Sequence, residues 1–247
     1  MKARVFVSIF TLCLLVFFCC PPSAFSQPMA EPVKCLWIGT ESHDEVTMDD
    51  VIRELEESYS NIALTVTEDY EDLRIDNLKN YDVLVAVQIK AEKGNLPDEV
   101  KSGIIEFLQG GGGLVAVHFV VANVQEWRDS IDIFGAMWVN GKSTHDPYHE
   151  FSVDMADETH PIVAGVKPFV TNDELYFNLL MRPDMHVIMT ADQERMGHRI
   201  PEPMLATHYC YNARCVYFAL GHDVQSTAIP EYRKIMAQSI EWAACRR

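Results

Sequence analysis

The sequence of 247 residues predicts an α/β fold in which helices cover both faces of a mostly parallel, doubly wound sheet. Two observations lead to this prediction. Short apolar runs bounded by turn signals alternate with segments of helical periodicity, which is the pattern of repeated strand–helix–strand units. The first four runs are also apolar at nearly every residue, as expected for parallel strands that are buried on both faces. We therefore expect one large domain built on one central sheet.

Eight apolar runs are the predicted strands. The first four lie at Lys34–Gly39, Ile62–Thr67, Tyr81–Val87 and Gly113–Phe119. The later four lie at His149–Met155, Met185–Ala191, Pro203–Cys210 and Arg214–Gly221. The pattern is less regular between Val121 and Met181, and we expect this region to form loops over one edge of the sheet.

Three segments between these runs carry apolar residues at helical spacing. The first places its apolar face between Met48 and Leu55. The second opens with Pro97 near its first turn and stops at Gly110, which agrees with the preference for proline at helix starts and glycine at helix ends. The last begins after Pro230. These helices supply the layers that cover the sheet.

The first residues have the features of an export signal. Two basic residues precede an apolar run of about 16 residues, and the small-residue site at Ala24–Ser26 predicts cleavage before Gln27. A transmembrane anchor, which needs about 20 apolar residues, and a lipoprotein anchor are the alternatives. We expect a signal peptide over residues 1–26, a domain over residues 33–245, and a periplasmic or secreted protein without a membrane span after cleavage.

The charge of the chain excludes two classes of partner. It carries 20 Lys and Arg against 36 Asp and Glu, a formal charge of −16 at pH 7. A field of this sign repels nucleic acid and anionic membrane surfaces, so neither is an expected partner. The charge does not select a substrate.

Four of the seven cysteines lie beyond the signal, at Cys35, Cys210, Cys215 and Cys245. An oxidising compartment permits disulfides. Cys210 and Cys215 flank four residues between two apolar runs, which predicts that they face each other across a hairpin and form a bridge. Two buried free thiols are the alternative. The absence of a C-x-x-C pair argues against a zinc site built from cysteines.

Three histidines lie at or after the ends of predicted strands. His43 follows the first strand, His118 lies at the end of the fourth strand, and His222 follows the last strand. The glycine run Gly110–Gly113 leads into the fourth strand. Ligands of open α/β sheets bind at the carboxyl edge, so parallel strands would bring these imidazoles into one crevice. Each histidine alone would more often be a structural residue, but three at equivalent strand ends favour a common pocket. The glycines precede their strand, whereas those of a nucleotide-binding fingerprint follow one.

The order of several segments resembles the ThuA-like (trehalose-utilisation) family. These segments are GTESHD, EFLQGGGGLVAVHFV, IFGAMWVNGKSTHDP, DETHPIVAGV, TNDELYF, VYFALGHD and IEWAA. The resemblance covers the whole mature domain and implies the three-layer αβα sandwich of class I glutamine amidotransferases. It also implies a set of recurrent polar residues, namely His43, His118, His145, Asp173, Glu174, Tyr176 and His222.

The resemblance to amidotransferases does not extend to their nucleophile. In those enzymes a cysteine follows the strand that corresponds to Leu114–Val117, and His118 stands near that position here. The segment His222–Val224 replaces their H-P-E motif. Without a thiolate or a hydroxyl, glutamine hydrolysis through an acyl-enzyme has no nucleophile. We therefore expect no glutaminase activity, because activity is not inherited with a fold.

The remaining imidazoles and carboxylates are suited to general acid–base chemistry. We predict catalytic roles for His118, His222, Glu174 and His43, and substrate-binding roles for His145, Asp173, Tyr176 and Trp127. Aromatic faces beside carboxylates suit a sugar ring, and the resemblance implies a disaccharide or keto-sugar derivative as the small-molecule partner. The same groups also suit zinc or a similar divalent metal, but no H-E-x-x-H pattern defines a metal geometry.

Three hypotheses about function follow from these residues. The first is an exported carbohydrate-active enzyme, a hydrolase, lyase or isomerase. The second is a non-catalytic carbohydrate-binding protein, and the third is a cell-surface interaction domain with a vestigial pocket. For the Asp173–Glu174 pair the structural alternative is a solvated turn, and for the aromatic residues it is core packing. The pattern leaves open the sugar, the bond changed, the metal and the oligomeric state.

Overall fold

The structure, a computed structural model, describes residues 31–40, 48–91, 95–195 and 197–245. The predicted signal peptide and its cleavage site lie outside these residues. In chain order the strands are β1 (Val33–Ile38), β2 (Ile62–Thr67), β3 (Val83–Ala86), β4 (Gly113–Val117), β5 (Ala136–Met137), β6 (Thr144–His145), β7 (His149–Met155), β8 (Phe169–Asp173), β9 (Tyr176–Phe177), β10 (Leu180–Met181), β11 (His186–Arg195), β12 (His198–Cys210) and β13 (Ala213–Phe218).

Helices connect and cover these strands. They are α1 (Asp49–Ser58), α2 (Ile75–Leu78), α3 (Asp98–Gln109), α4 (Val120–Asn123), α5 (Ser130–Phe134), α6 (Val224–Thr227) and α7 (Pro230–Ala243), with 3-10 turns at Tyr70–Leu73 and Pro161–Val163. Within the described part of the chain, no helix combines the length and the apolar character that a membrane span requires.

Nine strands form the central sheet of the described residues, in the order β2-β1-β3-β4-β13-β12-β11-β7-β8. The first five strands of this order pair in parallel. The remaining strands pair antiparallel. Every residue of β3 and β4 is buried, which requires cover on both faces of the sheet. The predicted three-layer α/β fold is therefore confirmed.

The last glycine of the run before β4 allows helix α7 to approach the sheet closely. A Cβ atom at Gly113 would lie 2.5 Å from the carbonyl oxygen of Ala243, near the end of α7. No side chain fits at such a distance, so this position requires glycine. The run serves close packing at the start of β4, and the functional side chain lies beyond the other end of the strand.

The antiparallel part of the sheet is larger than the sequence pattern predicted. Strand β8 lies in the region that we expected to form loops, and β11 and β12 extend four and five residues past the predicted runs as a ribbon that pairs Arg195 with His198. The residues His198–Pro201 of β12 are exposed. Strands that do not face the core carry no apolar pattern, which explains why their length was underestimated.

The predicted bridge between Cys210 and Cys215 is wrong, and both thiols are free and buried. The strands β12 and β13 are joined by a two-residue turn, so that Cys210 pairs with Ala213 and Cys215 pairs with His208. The tighter turn moves the two cysteines out of register. Burial is the main reason that the pKa of each thiol is raised above its ordinary value.

Candidate functional site

The site lies beyond the carboxyl ends of two neighbouring parallel strands. His118 directly follows β4, and its backbone N–H donates a hydrogen bond of 2.8 Å to the carbonyl oxygen of Phe218, the last residue of β13. His222 follows β13 four residues later. Because β4 and β13 pair in parallel, both histidines lie at the same edge of the sheet, which is where open α/β sheets bind ligands.

The backbone of His118 adopts an unusual conformation. Its φ angle is +43°, in the left-handed region that residues other than glycine rarely occupy. The side chain is fully buried. Strain of this kind costs on the order of 1–3 kcal/mol and is found preferentially at functional sites. The imidazole lies beside Glu174, with Nε2 3.7 Å from Oε2.

Three imidazoles surround the carboxylate of Glu174, which is 7% exposed. Its Oε2 atom lies 3.3 Å from Nδ1 of His222 and 3.7 Å from Nε2 of His118. Its Oε1 atom lies 3.3 Å from Nδ1 of His145. Glu174 is therefore the centre of the cluster, and it reaches histidines from three separate parts of the chain.

The hydrogen bonds of His118 define its tautomer. Nδ1 lies 2.7 Å from the carbonyl oxygen of Ala219, which only accepts, so this nitrogen carries the proton. The hydroxyl of Tyr176 lies 3.1 Å from Nε2. Burial, together with the charge of Glu174, raises the pKa of Tyr176 well above its ordinary value, so the phenol stays protonated and donates to Nε2.

Asp173 joins the two loops that carry the cluster. It is fully buried, and its carboxylate accepts backbone N–H bonds from Gly221 at 2.8 Å, from His222 at 3.2 Å and from Glu174 at 2.7 Å. Burial raises the pKa of Asp173 above its ordinary value, while the hydrogen bonds from these three donors oppose the rise. The predicted substrate-binding residue therefore holds the neighbouring segments in place.

The environment of His222 favours its protonated form. Burial lowers the pKa of His222, but the hydrogen bond to Glu174 and the negative charges of Glu174, Asp173 and Asp223 raise it above the ordinary value overall. Asp223 also accepts a hydrogen bond of 2.8 Å from the hydroxyl of Tyr148, whose ring centroid lies 5.3 Å from that of His222. His222 is therefore enclosed on one side by an aromatic ring.

A cavity of about 330 Å³ opens beside the cluster. Its lining residues are Phe119, Ala122, Gln125, Trp138, His145, Glu174 and Tyr176. The rings of Trp138 and Tyr176 are 5.3 Å apart and tilted by 70°, so they form two walls of the cavity. An aromatic cavity with a few polar groups is typical of a small-molecule site.

The predicted site residues fall into different places relative to this cavity. Glu174, His145 and Tyr176 line it, whereas His118 and His222 contact Glu174 from behind. His43 lies outside the described residues. Trp127 is buried in the core beside Phe134, with ring centroids 6.2 Å apart, and it does not line the cavity.

The sequence interpretation did not single out Phe119, Ala122 and Gln125 as lining residues. A signal for them was present, because they come directly after His118 and are spaced three residues apart, as expected of one face of a helical segment. Of the three, Ala122 lies in the short helix α4 and Phe119 directly precedes it. Trp138 takes the place at the cavity wall that we predicted for Trp127.

One group of side chains among the described residues has the spacing of metal ligands. His118, Glu174 and His222 each offer a ligand atom, and these atoms lie within 4.8 Å of one another. Two imidazoles and one carboxylate are a ligand set that suits zinc and similar divalent ions.

The ThuA family, described as trehalose utilisation, matches residues 35–243 of the chain. No curated protein matches the chain. Among solved structures, a ThuA-like protein from Parabacteroides merdae is similar over 87% of this chain and 90% of its own, with 21% identity and a TM-score of 0.71. A ThuA-like protein from Bacteroides uniformis is similar over 88% of this chain and 93% of its own, with 15% identity and a TM-score of 0.63.

The likeness extends to amidotransferase folds. A glutamine amidotransferase from Thermotoga maritima is similar over 87% of this chain and 99% of its own, with 9% identity and a TM-score of 0.53. At these identities the solved structures establish the fold alone.

Proposed function

Because the chain belongs to the ThuA family, whose description associates it with carbohydrate metabolism, we propose that it acts on a saccharide bound in the cavity beside Glu174. The observation that carries the proposal is the arrangement of three imidazoles around one buried carboxylate at an aromatic cavity. The substrate class is a disaccharide or its keto-sugar derivative. The walls formed by Trp138 and Tyr176 suit the apolar C–H faces of a sugar ring.

Glu174 and His145 are the groups positioned to transfer protons in the cavity. Both line it, and His145 is partly exposed, with its side chain 39% accessible. Glu174 accepts a proton from water or from a carbon next to a carbonyl group, and His145 returns one to the product. Such general acid–base catalysis contributes about 10²–10⁴-fold to a rate. His118 and His222 act through Glu174 as positioning residues.

The proposal is tested by incubating the purified protein with disaccharides and their keto derivatives in D₂O and following products by NMR. Deuterium at a carbon next to the carbonyl indicates proton abstraction, whereas release of monosaccharides without deuterium indicates hydrolysis. We expect Glu174→Gln to lower turnover at least about 100-fold. His186→Gln, a change at a partly exposed histidine outside the cavity lining, is the matched control and should leave turnover unchanged.

Two results would change this conclusion. Saccharide binding without turnover would leave the non-catalytic carbohydrate-binding alternative, which the aromatic walls of the cavity also support. The absence of both binding and turnover with all of these sugars would refute a saccharide-directed function.

We also propose that the protein is exported, as its basic and apolar first residues indicate. Protein recovered from the periplasm or the medium should have the intact mass of a chain that begins at Gln27. Full-length protein retained in the membrane would contradict export.

A further inference from the structure

We propose that His118, Glu174 and His222 bind one divalent cation of the zinc class. The inference rests on the proposed function in that it assigns a cofactor to the same site, although cation binding is measured without any sugar. Nε2 of His118, Nδ1 of His222 and a carboxylate oxygen of Glu174 are the ligand atoms. Two imidazoles and a carboxylate are typical ligands of zinc and of neighbouring transition metals.

The distances between these atoms are close to those of a tetrahedral site. Bonds of 2.0–2.1 Å to a tetrahedral ion place neighbouring ligand atoms about 3.4 Å apart. Oε2 of Glu174 lies 3.3 Å from Nδ1 of His222 and 3.7 Å from Nε2 of His118. All three ligand atoms lie within 4.8 Å of one another. Side-chain adjustments, together with release of the proton that His222 shares with Glu174, would close the site around an ion.

The ligand atoms are oriented by the kind of outer contacts that metal sites use. Nδ1 of His118 donates to the carbonyl oxygen of Ala219, so Nε2 carries no proton and lies 3.7 Å from Oε2 of Glu174. Asp173 accepts the backbone N–H groups of both Glu174 and His222, so it holds two ligand-bearing residues at once. The hydroxyl of Tyr176, 3.1 Å from Nε2, would turn to another acceptor when the ion binds.

The charge of the pocket also favours a cation. Asp173 and Glu174 are adjacent in the chain, and the two residues are at most 7% exposed. Buried carboxylates are stable only when they are paired and hydrogen-bonded. A divalent ion between Glu174 and the two histidines offsets this negative charge.

Three protein ligands leave one position of a tetrahedral ion open, which is the arrangement of catalytic rather than structural sites. Glu174, whose other oxygen faces His145, borders the cavity. An ion held by His118, Glu174 and His222 would bind a water molecule at its open position. His145 stays outside the ligand set and keeps its role in proton transfer.

The test uses the purified protein after removal of metals with a chelator. Zn²⁺, Co²⁺ and Mn²⁺ are titrated separately by calorimetry, and bound metal is counted by elemental analysis. We expect one equivalent of at least one ion, with an intense visible absorption when the ion is tetrahedral Co²⁺. Glu174→Gln and His222→Gln should weaken binding by more than about 100-fold, because even outer-shell changes cost 10–100-fold in affinity. His186→Gln is the matched control and should bind as the wild type does.

Less than a tenth of an equivalent of all three ions in folded wild-type protein would overturn the inference. Binding that survives Glu174→Gln, or that is lost in His186→Gln, would equally overturn it, because the ion would then lie elsewhere. The unfolding temperature of each variant identifies any that fails to fold. In that case the Co²⁺ spectrum of the wild type distinguishes an ion held at the site by nitrogen and oxygen ligands from an ion bound unspecifically at the surface. One equivalent of metal without saccharide binding would refute the proposed function and leave the metal site standing.

Discussion

The structure contains two groups of three histidines, one near the start and one beyond the end of strand β13, and the groups differ in the side chains that their imidazoles contact. His118, His145 and His222 surround the buried carboxylate of Glu174. His160, His186 and His208 line a second cavity of about 330 Å³ beside Trp242. In the second group, His208 pairs across the sheet with Cys215, near the start of β13, whereas His118 and His222 lie beyond its end.

The histidines of the second group have separate structural partners. His160 accepts the backbone N–H of Ile162 at 3.3 Å and packs against Trp242. His186 pairs with Asp157 at 3.0 Å on the surface. His208 is 3% exposed, and burial, aided by the positive charge of Arg182, lowers its pKa to about 4. No carboxylate is shared among the three in the described structure.

The comparison shows that a cavity with several histidines is not by itself a reactive site. In the first group one buried carboxylate links all three imidazoles, and it raises the pKa of His222. In the second group burial lowers the pKa of His160 and His208, so these rings stay neutral near pH 7. The shared carboxylate of Glu174 is therefore what distinguishes the first group from the second.

The largest effect that we predict concerns the support of the first group. Asp173→Asn should lower the free energy of unfolding by roughly 3 kcal/mol, because an amide has one acceptor oxygen for three backbone donors and at least one buried N–H loses its partner. Saccharide and cation binding should fall with it, since both loops depend on this anchor. Urea denaturation followed by circular dichroism measures the change.

The control for this prediction is Asp154→Asn, a change of an exposed carboxylate on β7 that should alter stability by less than about 0.5 kcal/mol. A loss below 1 kcal/mol in Asp173→Asn would mean that the loops are held by other contacts. The first group would then be no more tightly built than the second.

The fold and part of the site could be predicted because each signal was local. His118 was identified because it ends an apolar run of the sequence, and this run forms the buried strand β4, which ends at Val117. The role of Asp173 could not be predicted, because its three donors come from Glu174 next to it and from Gly221 and His222, 48 and 49 residues away. Contacts between residues so far apart in the sequence leave no local pattern that could predict them.

The predicted register of β12 and β13 was wrong for a similar reason. The spacing of Cys210 and Cys215 is compatible with several turns, and the backbone of Tyr211, with a φ angle of +54°, selects a two-residue turn instead of a four-residue loop. Tyrosine carries no turn signal comparable to glycine or asparagine at such a position. The pairing of His208 with Cys215 followed from that turn and was equally hidden.

The second prediction is an effect of pH that arises from His208. Its pKa is about 4 in the folded protein and about 6.5 in the unfolded chain, so the unfolded state binds more protons between these values. Stability from this group is complete above pH 6.5 and is lost as pH falls toward 4. Between pH 8 and pH 5 the loss is about 2 kcal/mol.

Urea denaturation of the wild type and of His208→Gln at both pH values isolates this contribution. The variant should be less sensitive to pH by about 2 kcal/mol, while its stability at pH 8 reports any packing change separately. An equal pH dependence in both proteins would show that the pKa of His208 is the same in the folded and unfolded states, and the contrast between the two groups of histidines would be lost.

The smallest effect is expected at His186, whose side chain is 54% exposed. Its partner Asp157 also accepts hydrogen bonds from the backbone N–H of Thr159 at 2.9 Å and from the hydroxyl of Thr159 at 2.6 Å, and these bonds are the main reason that the pKa of Asp157 is lowered. Loss of the imidazole in His186→Gln therefore leaves the carboxylate hydrogen-bonded and exposed to water, where ion pairs contribute little. We expect the unfolding temperature to change by less than about 2 °C and cation binding to stay the same. A drop of more than about 5 °C, or loss of the bound ion, would place His186 among the coupled residues, and the second group of histidines would then need a functional explanation of its own.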